Sequence, residues 1–355
     1  MNVNTHRFPY EWTLKDANFT KDKGKVFSCF ACGGGSTMGY KLAGFDVIGC
    51  NEIDPKMIGA YRENHNPQFS FLEPIQTFKD RDDLPPELYE LDILDGSPPC
   101  SSFSMAGNRE KDWGKEKKFR EGQADQVLDT LFFDFIELAE KLQPKVVIAE
   151  NVKGLLLGDA RDYLWRIHEA FDNAGYYVGH KLLDASKMGV PQRRERVFFY
   201  AIRKDLYRGE FMDLFSTEPR LELDFDEATI VFGEIKDSKG RELGKDGKLR
   251  ELWNFRKPTD AGMSFACERE WKRNAYFSQS YLHDNLVSPT TTAHEDSLIL
   301  YAAPRYTSKD EICKIGSYPT DYDFNGLKPH YLIGMSVPPV MTAQVASRVF
   351  EQWLS

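Results

Sequence analysis

The chain has 355 residues, of which 41% are hydrophobic, and a formal net charge of −9. That length and apolar content allow a substantial core, divided into one large and one smaller unit. The negative balance excludes a protein coated in positive potential that clings to any nucleic acid, while leaving room for a local basic cleft.

The first residues, "MNVNTHRFPYEWTLKDANF", lack the basic start and apolar core of a signal peptide, and no apolar run is long enough to cross a bilayer. A cytoplasmic location is the resulting expectation. The six cysteines (Cys29, Cys32, Cys50, Cys100, Cys267 and Cys313) are expected as reduced thiols rather than a disulfide framework. Cys29 and Cys32 form a CxxC without a second ligand pair at zinc spacing, so no metal is expected there.

In chain order, "KVFSCF" (25–30) predicts a strand, followed by a turn with Gly33, Gly34 and Gly35, a helix over "STMGYKLAGF", and a second strand, "DVIGCNEID". Glycines between a strand and a helix let a ligand approach backbone N–H groups, and the acid Glu52 at the second strand's end suits ribose hydroxyls. Nicotinamide, flavin and adenosylmethionine proteins share that arrangement. "LDILDG" predicts a further strand and leads into "DGSPPCSSFSMAG", where two prolines stiffen the backbone that presents Cys100, as suits a held nucleophile.

"DQVLDTLFFDFIELAEKL" has the apolar spacing of a helix, and "KVVIAENV" is again a strand. It places Glu150 and Asn151 at a C-terminal strand end, the edge of an open α/β sheet where ligands bind. A carboxyl group there either shares a proton with a ring nitrogen or caps the next helix. The stretch "KMGVPQRRERVFFYAIRKDLYR" sets seven basic residues, Arg194 and Arg196 among them, inside an otherwise apolar strand pattern. From about 205 to 300 the pattern becomes charged and irregular, which suits a smaller binding module, and "NFRKPTD" and "REWKRNAYF" interleave aromatic and basic residues. "MTAQVASRVFEQWL" closes the chain as an amphipathic helix expected to fold back onto the first domain.

Strands alternating with helices predict an α/β fold, a Rossmann-like, doubly wound and mostly parallel sheet with a smaller irregular domain. The expected division is an N-terminal extension over 1–24, a catalytic domain over 25–204 completed by 325–355, and a target-recognition domain with hinge over 205–324. If the strand ends carrying Cys100, Glu150, Arg194 and Arg196 converge, a thiol nucleophile, a carboxyl acid and guanidinium donors share one pocket. Methylation of cytosine at carbon 5 needs that set. A thiolate adding to carbon 6, with a proton given to ring nitrogen 3, turns carbon 5 into a nucleophile.

The ordered motifs "FACGGG", "NEIDP", "GSPPCSSFSMAG", "ENVKGL", "PQRRERVF", "RYTSKDEI" with "YPTDY", and "IGMSVPP" make the chain resemble the DNA cytosine-5 methyltransferases of bacteria and phage from about Lys25 to Leu354. The resemblance implies Cys100 as nucleophile, Glu150 as the acid on the base, and Arg196 as a donor to the base carbonyl, supported by Arg194 and Gln192. It implies S-adenosylmethionine as cofactor, held by Phe30, Gly33, Gly34, Gly35, Glu52, Ile53, Ile75, Pro99, Leu131 and Ser336. Ser104, Gln192 and Arg305 match positions that contact DNA, Ser104 within a segment that closes over it.

Double-stranded DNA, extruding its target base, is the implied partner; a cognate restriction endonuclease is a further one, and a monomer is expected. Departures from the family pattern are Ser28 and Cys32, where the first motif carries Asp and Gly, Pro74 in place of an acid, Ser101 and Ser102 after the nucleophile, Ser308 for a threonine, and Met335 for an asparagine. Three readings compete with the main one. They are a transfer RNA cytosine methyltransferase, a nicotinamide oxidoreductase that would give Cys100 and Glu150 no shared task, and a catalytically silent DNA-binding relative.

Overall fold

The computed structural model describes residues 6–99, 130–157, 160–212, 216–276 and 278–355, and the backbone of 116–117 and 126–127. In chain order the first strands are β1 (Lys25–Cys29), β2 (Asp46–Glu52), β3 (Phe69–Leu72) and β4 (Ile93–Gly96). β5 (Glu116–Lys117) and β6 (Gln126–Val127) pair only with each other, antiparallel. β7 (Val146–Val152), β8 (Tyr176–Asp184) and β9 (Glu195–Arg203) complete the main sheet, whose order is β3-β2-β1-β4-β7-β9-β8.

The ladders joining β3, β2, β1, β4 and β7 are parallel, and β9 runs antiparallel to both β7 and β8. The expected parallel sheet is therefore present, with two antiparallel ladders at one end. β1 has β2 on one side and β4 on the other, so chain order reverses there, and the crevice beyond the C-terminal ends of β1 and β4 is where open α/β sheets receive ligands.

Helices α1 (Gly35–Leu42), α2 (Pro55–His65), α3 (Ile75–Lys79), α4 (Leu131–Leu142) and α5 (Arg161–Asn173) connect the strands. α2 begins where Asp54 accepts from the N–H groups of Lys56 (2.8 Å) and Met57 (3.3 Å), with Pro55 at the first helical position. The core between sheet and helices includes Phe27, Leu94, Phe135, Val147, Phe171 and Phe199, and Phe132 meets Phe199 edge-on at 5.2 Å. One helix is shorter than its apolar spacing predicts. The helix expected from Asp125 starts at Leu131, and Gln126–Val127 pairs as a strand instead.

The chain forms two compact units. One holds Asn18–Asp184, Glu195–Asp224 and Thr342–Ser355, and with them the whole main sheet. Of the segment 325–355, Thr342–Ser355 clusters with the sheet unit, Phe350 meeting Phe45 edge-on at 6.0 Å, and 325–341 with the other unit. The other unit holds Met1–Ala17, Ala185–Arg194 and Phe225–Met341. These limits differ from a simple break near 204. Residues 185–194 cluster with the second unit, and 205–224 with the first.

The second unit is built from short elements: α6 (Phe232–Ile235), α7 (Lys248–Asn254), α8 (Met263–Trp271), the parallel strands β10 (Ser280–Leu282) and β11 (Leu298–Leu300), α9 (Lys309–Ile315) and α10 (Pro329–Met335). Its core gathers Leu243, Leu252, Met263, Cys267, Tyr281 and Ile299. Residues 6–17 of the N-terminal extension belong to this unit. The Trp12 indole N–H donates to the Ser317 carbonyl at 2.9 Å, and the Thr320 N–H to the Trp12 carbonyl at 3.0 Å. α11 (Pro339–Val349) follows and leads to the C-terminal turn of the chain.

Candidate active site

The glycine turn takes the chain from β1 to α1 through left-handed backbone at Phe30 (φ 52°), Cys32 (φ 47°) and Gly34 (φ 84°). Glycine is required at position 34 on two counts: its φ is positive, and an added Cβ would run into His65 and Tyr61. The turn is tied down by Glu52, at the end of β2. Its buried carboxylate accepts from the N–H groups of Cys32 (2.7 Å), Ile53 (2.9 Å) and Asp54 (2.8 Å). Burial pushes the Glu52 carboxyl above its ordinary range, opposed by those three hydrogen bonds.

The residues expected to hold the cofactor are distributed over both compact units. Phe30 meets Phe135 of α4 edge-on at 6.3 Å, and Leu131 and Ile75 are buried at the starts of α4 and α3. Ile53 and Pro99 are half-buried. Ser336 belongs to the other compact unit, where its hydroxyl donates to the Leu332 carbonyl at 2.8 Å.

The carboxylate and guanidinium predicted at the strand ends do meet. β7 and β9 are in antiparallel register with Val152 opposite Arg196, which makes Glu150 and Arg196 diagonal neighbours on one face. Arg196 Nε lies 2.9 Å from Glu150 Oε1, and Arg196 Nη1 donates to the Glu195 carbonyl at 2.8 Å. Both side chains keep a little exposure, 12% for Glu150 and 16% for Arg196. Among the described residues, Glu150 Oε2 and Arg196 Nη2 carry no other partner.

Asn151 follows Glu150 in β7. Its buried amide donates to the Pro98 carbonyl at 3.0 Å and its Oδ1 accepts from the Val152 N–H at 2.9 Å. The segment leading to Cys100 is therefore anchored to the strand that carries Glu150. Cys100 and Ser104 themselves lie outside the described residues.

Three residues assigned to base or DNA contact have other partners. Arg194, 3% exposed, donates to the carbonyls of Thr291 (3.1 Å), Gly334 (3.0 Å) and Ser336 (2.9 Å). Gln192 bridges the Ile315 carbonyl (3.2 Å) and the Thr291 N–H (3.1 Å). Arg305 grips the fully buried Glu311 through two 2.8 Å bonds and also donates to the carbonyls of Tyr306 (3.0 Å) and Asp237 (2.6 Å). Glu311 in turn closes the capping box of α9 with Ser308. Both Arg305 terminal nitrogens are thus engaged inside their own unit.

The two aromatic and basic segments differ as well. In "NFRKPTD", Arg256 stacks on the Trp253 ring at 3.2 Å and donates to the Tyr301 carbonyl at 2.7 Å, so it holds the unit together. "REWKRNAYF" instead lines an open cavity of about 490 Å³ with Trp271, Arg273 and Tyr276, joined by Lys248 and Glu251.

The open sheet, the glycine turn tied to Glu52 and the acid–guanidinium pair at adjacent strand ends match what the expected methyltransferase class requires. The chain belongs to the C-5 cytosine-specific DNA methylases, whose family model matches residues 24–351. It is 30% identical over 351 residues to the type II methyltransferase M.FnuDI of Fusobacterium nucleatum, covering 92% of this chain and 94% of that one. It is 36% identical over 169 residues to the orphan methyltransferase M.SPRI of Bacillus phage SPR, 47% of this chain and 34% of that protein. In fold it is similar to a Spodoptera frugiperda DNMT2 mutant, with TM-score 0.62 and 17% identity over 92% of this chain and 99% of the other.

Proposed function

We propose that this chain transfers a methyl group from S-adenosylmethionine to carbon 5 of a cytosine extruded from duplex DNA, in the cytoplasm, through a transient bond between Cys100 and carbon 6. The observation that carries the reading is the Glu150–Arg196 pair at 2.9 Å beside Asn151, whose amide holds the Pro98 carbonyl two residues before Cys100.

The chain's own residues suit the cofactor. Glu52 accepts three hydrogen bonds and a carboxylate offers about four acceptor sites, so one remains for a ribose hydroxyl. Gly33, Gly34 and Gly35 put no side chains in the way of a close approach to the turn's backbone. When bound, S-adenosylmethionine supplies an electrophilic methyl group on a sulfonium.

The Cys100 thiolate adds to carbon 6 while Glu150 hands a proton to ring nitrogen 3, and Arg196, fixed by Glu150, donates to the carbonyl at carbon 2. The electron pair freed at carbon 5 forms the new carbon–methyl bond as the sulfonium's own bond to that methyl breaks, leaving a neutral thioether. Loss of the carbon 5 proton to a base then expels the thiolate, and the proton on ring nitrogen 3 returns to Glu150, restoring the aromatic ring. Arg194 and Gln192 act as positioning residues, holding the segments of Thr291 and Ser336. The cavity of Trp271, Arg273 and Tyr276 suits contact with DNA, because aromatic faces and guanidinium suit bases and phosphates.

Bisulfite sequencing of DNA from cells expressing the chain tests the activity and reads its target together. Methylation at one recurrent sequence is the expected result. Label transfer from S-adenosylmethionine into transfer RNA but not into duplex DNA would favour the RNA branch of this chemistry.

A further inference from the structure

Behind the glycine turn lies a carboxylate that no role above uses. Asp95 in β4 is 3% exposed and makes no ion pair among the described residues. A buried carboxylate without a cation is costly unless hydrogen bonds replace its water. Three do so. Asp95 Oδ2 accepts from the hydroxyls of Ser28 (2.7 Å) and Ser36 (2.7 Å), and Oδ1 from that of Tyr40 (3.2 Å).

The donors' positions give the cluster its meaning. Ser28 sits in β1, just before the turn, and Ser36 and Tyr40 sit in α1, just after it. One carboxylate thus fastens both ends of the glycine turn to β4, the strand that continues through Pro98 and Pro99 toward Cys100. Ser28 and Asp95 are also directly paired in the parallel β1–β4 ladder. Ser28 occupies the position where the first motif of the family opens with an acid.

We infer that Asp95 is a positioning residue for the cofactor turn, its carboxylate supplied from β4 in place of the acid that β1 lacks at Ser28. The inference rests on the reading of this turn as the S-adenosylmethionine site. Because the two positions are register partners, the carboxylate can be moved from one strand to the other within the same buried layer.

The test measures the dissociation constant of S-adenosylmethionine by calorimetry, kcat and KM on duplex DNA, and the melting curve, for the full-length wild type, Asp95→Asn, Asp95→Ser and the double variant Ser28→Asp/Asp95→Ser. Losing charge-assisted acceptors is expected to weaken cofactor binding about tenfold in Asp95→Asn and Asp95→Ser, with kcat changed less than about threefold. The double variant is expected to return to within about threefold of wild type. A merely structural role would not give this split of KM from kcat, nor rescue by relocation.

Should Asp95→Asn not fold, Ser36→Ala and Tyr40→Phe remove one donor each and are expected to raise KM for the cofactor about threefold. Unchanged cofactor binding in folded Asp95→Asn, in both single-donor variants, or a folded double variant no better than Asp95→Ser, overturns the inference. A wild-type protein that fails to bind S-adenosylmethionine would overturn the functional reading instead.

Discussion

A guanidinium–carboxylate pair in one compact unit, Arg305–Glu311, and one in the other, Arg196–Glu150, are built to opposite ends. Arg305 and Glu311 are sealed, Glu311 fully buried and Arg305 also donating to the Tyr306 and Asp237 carbonyls. Arg196 and Glu150 lie 2.9 Å apart at their nearest atoms, and Glu150 Oε2 and Arg196 Nη2 form no hydrogen bond among the described residues. The first pair's hydrogen bonds are made within its own unit; the second has one acceptor and one donor side by side, as recognition of a pyrimidine edge requires. Residue type alone does not mark a functional arginine. What marks it is how many of its donors the fold has already consumed.

Substitutions at matching positions should separate the two roles. Glu150→Gln is expected to lower kcat by about 100- to 10,000-fold while the urea midpoint barely moves. A loss of stability as large as the loss of rate would make that pair structural too. Glu311→Ala should behave inversely, costing about 3–5 kcal/mol in urea unfolding because it leaves a buried guanidinium unpaired. Arg196→Lys keeps the charge but not the planar fork, and is expected to cost about tenfold in kcat/KM with wild-type stability.

The smallest effect is one of pH. Burial, opposed by the hydroxyls of Ser28, Ser36 and Tyr40, pushes the Asp95 carboxyl up to about 6, with Glu150 adding repulsion. Around it, burial also raises the Tyr40 hydroxyl and the Cys29 thiol, so neither titrates in the same range. Between the ordinary aspartate value and pH 6 the folded protein holds this proton more tightly than the unfolded chain. The contribution of Asp95 to stability therefore falls as pH rises through that window and is flat above it. Chemical unfolding at pH 4.5 and pH 7 should show that component vanish in Asp95→Asn, while other carboxylates continue to titrate.

Much of the sheet was legible because strands buried on both faces read as continuous apolar runs, as in "VVIA" and "VFFYAI". The start of α4 was not, since apolar spacing extends back to Val127 and cannot tell that Gln126–Val127 pairs with Glu116–Lys117. At the site, Glu150 and Arg196 could be placed from their positions at strand ends. The work of Arg194 could not, because its acceptors, Thr291 and Ser336, lie 97 and 142 positions away in the chain. Asp95 escaped for the same reason, its donors being 55 to 67 residues distant. A register between β1 and β4, rather than any motif, brings it to the glycine turn.

The central claim is a covalent step at Cys100 assisted by Glu150 and Arg196. Its most direct test is to incubate the protein and S-adenosylmethionine with target duplex carrying 5-fluorocytosine, whose carbon 5 has no proton to lose. The account predicts a denaturation-resistant protein–DNA adduct with the wild type and none with Cys100→Ser; an adduct that persists undiminished in Cys100→Ser would contradict it.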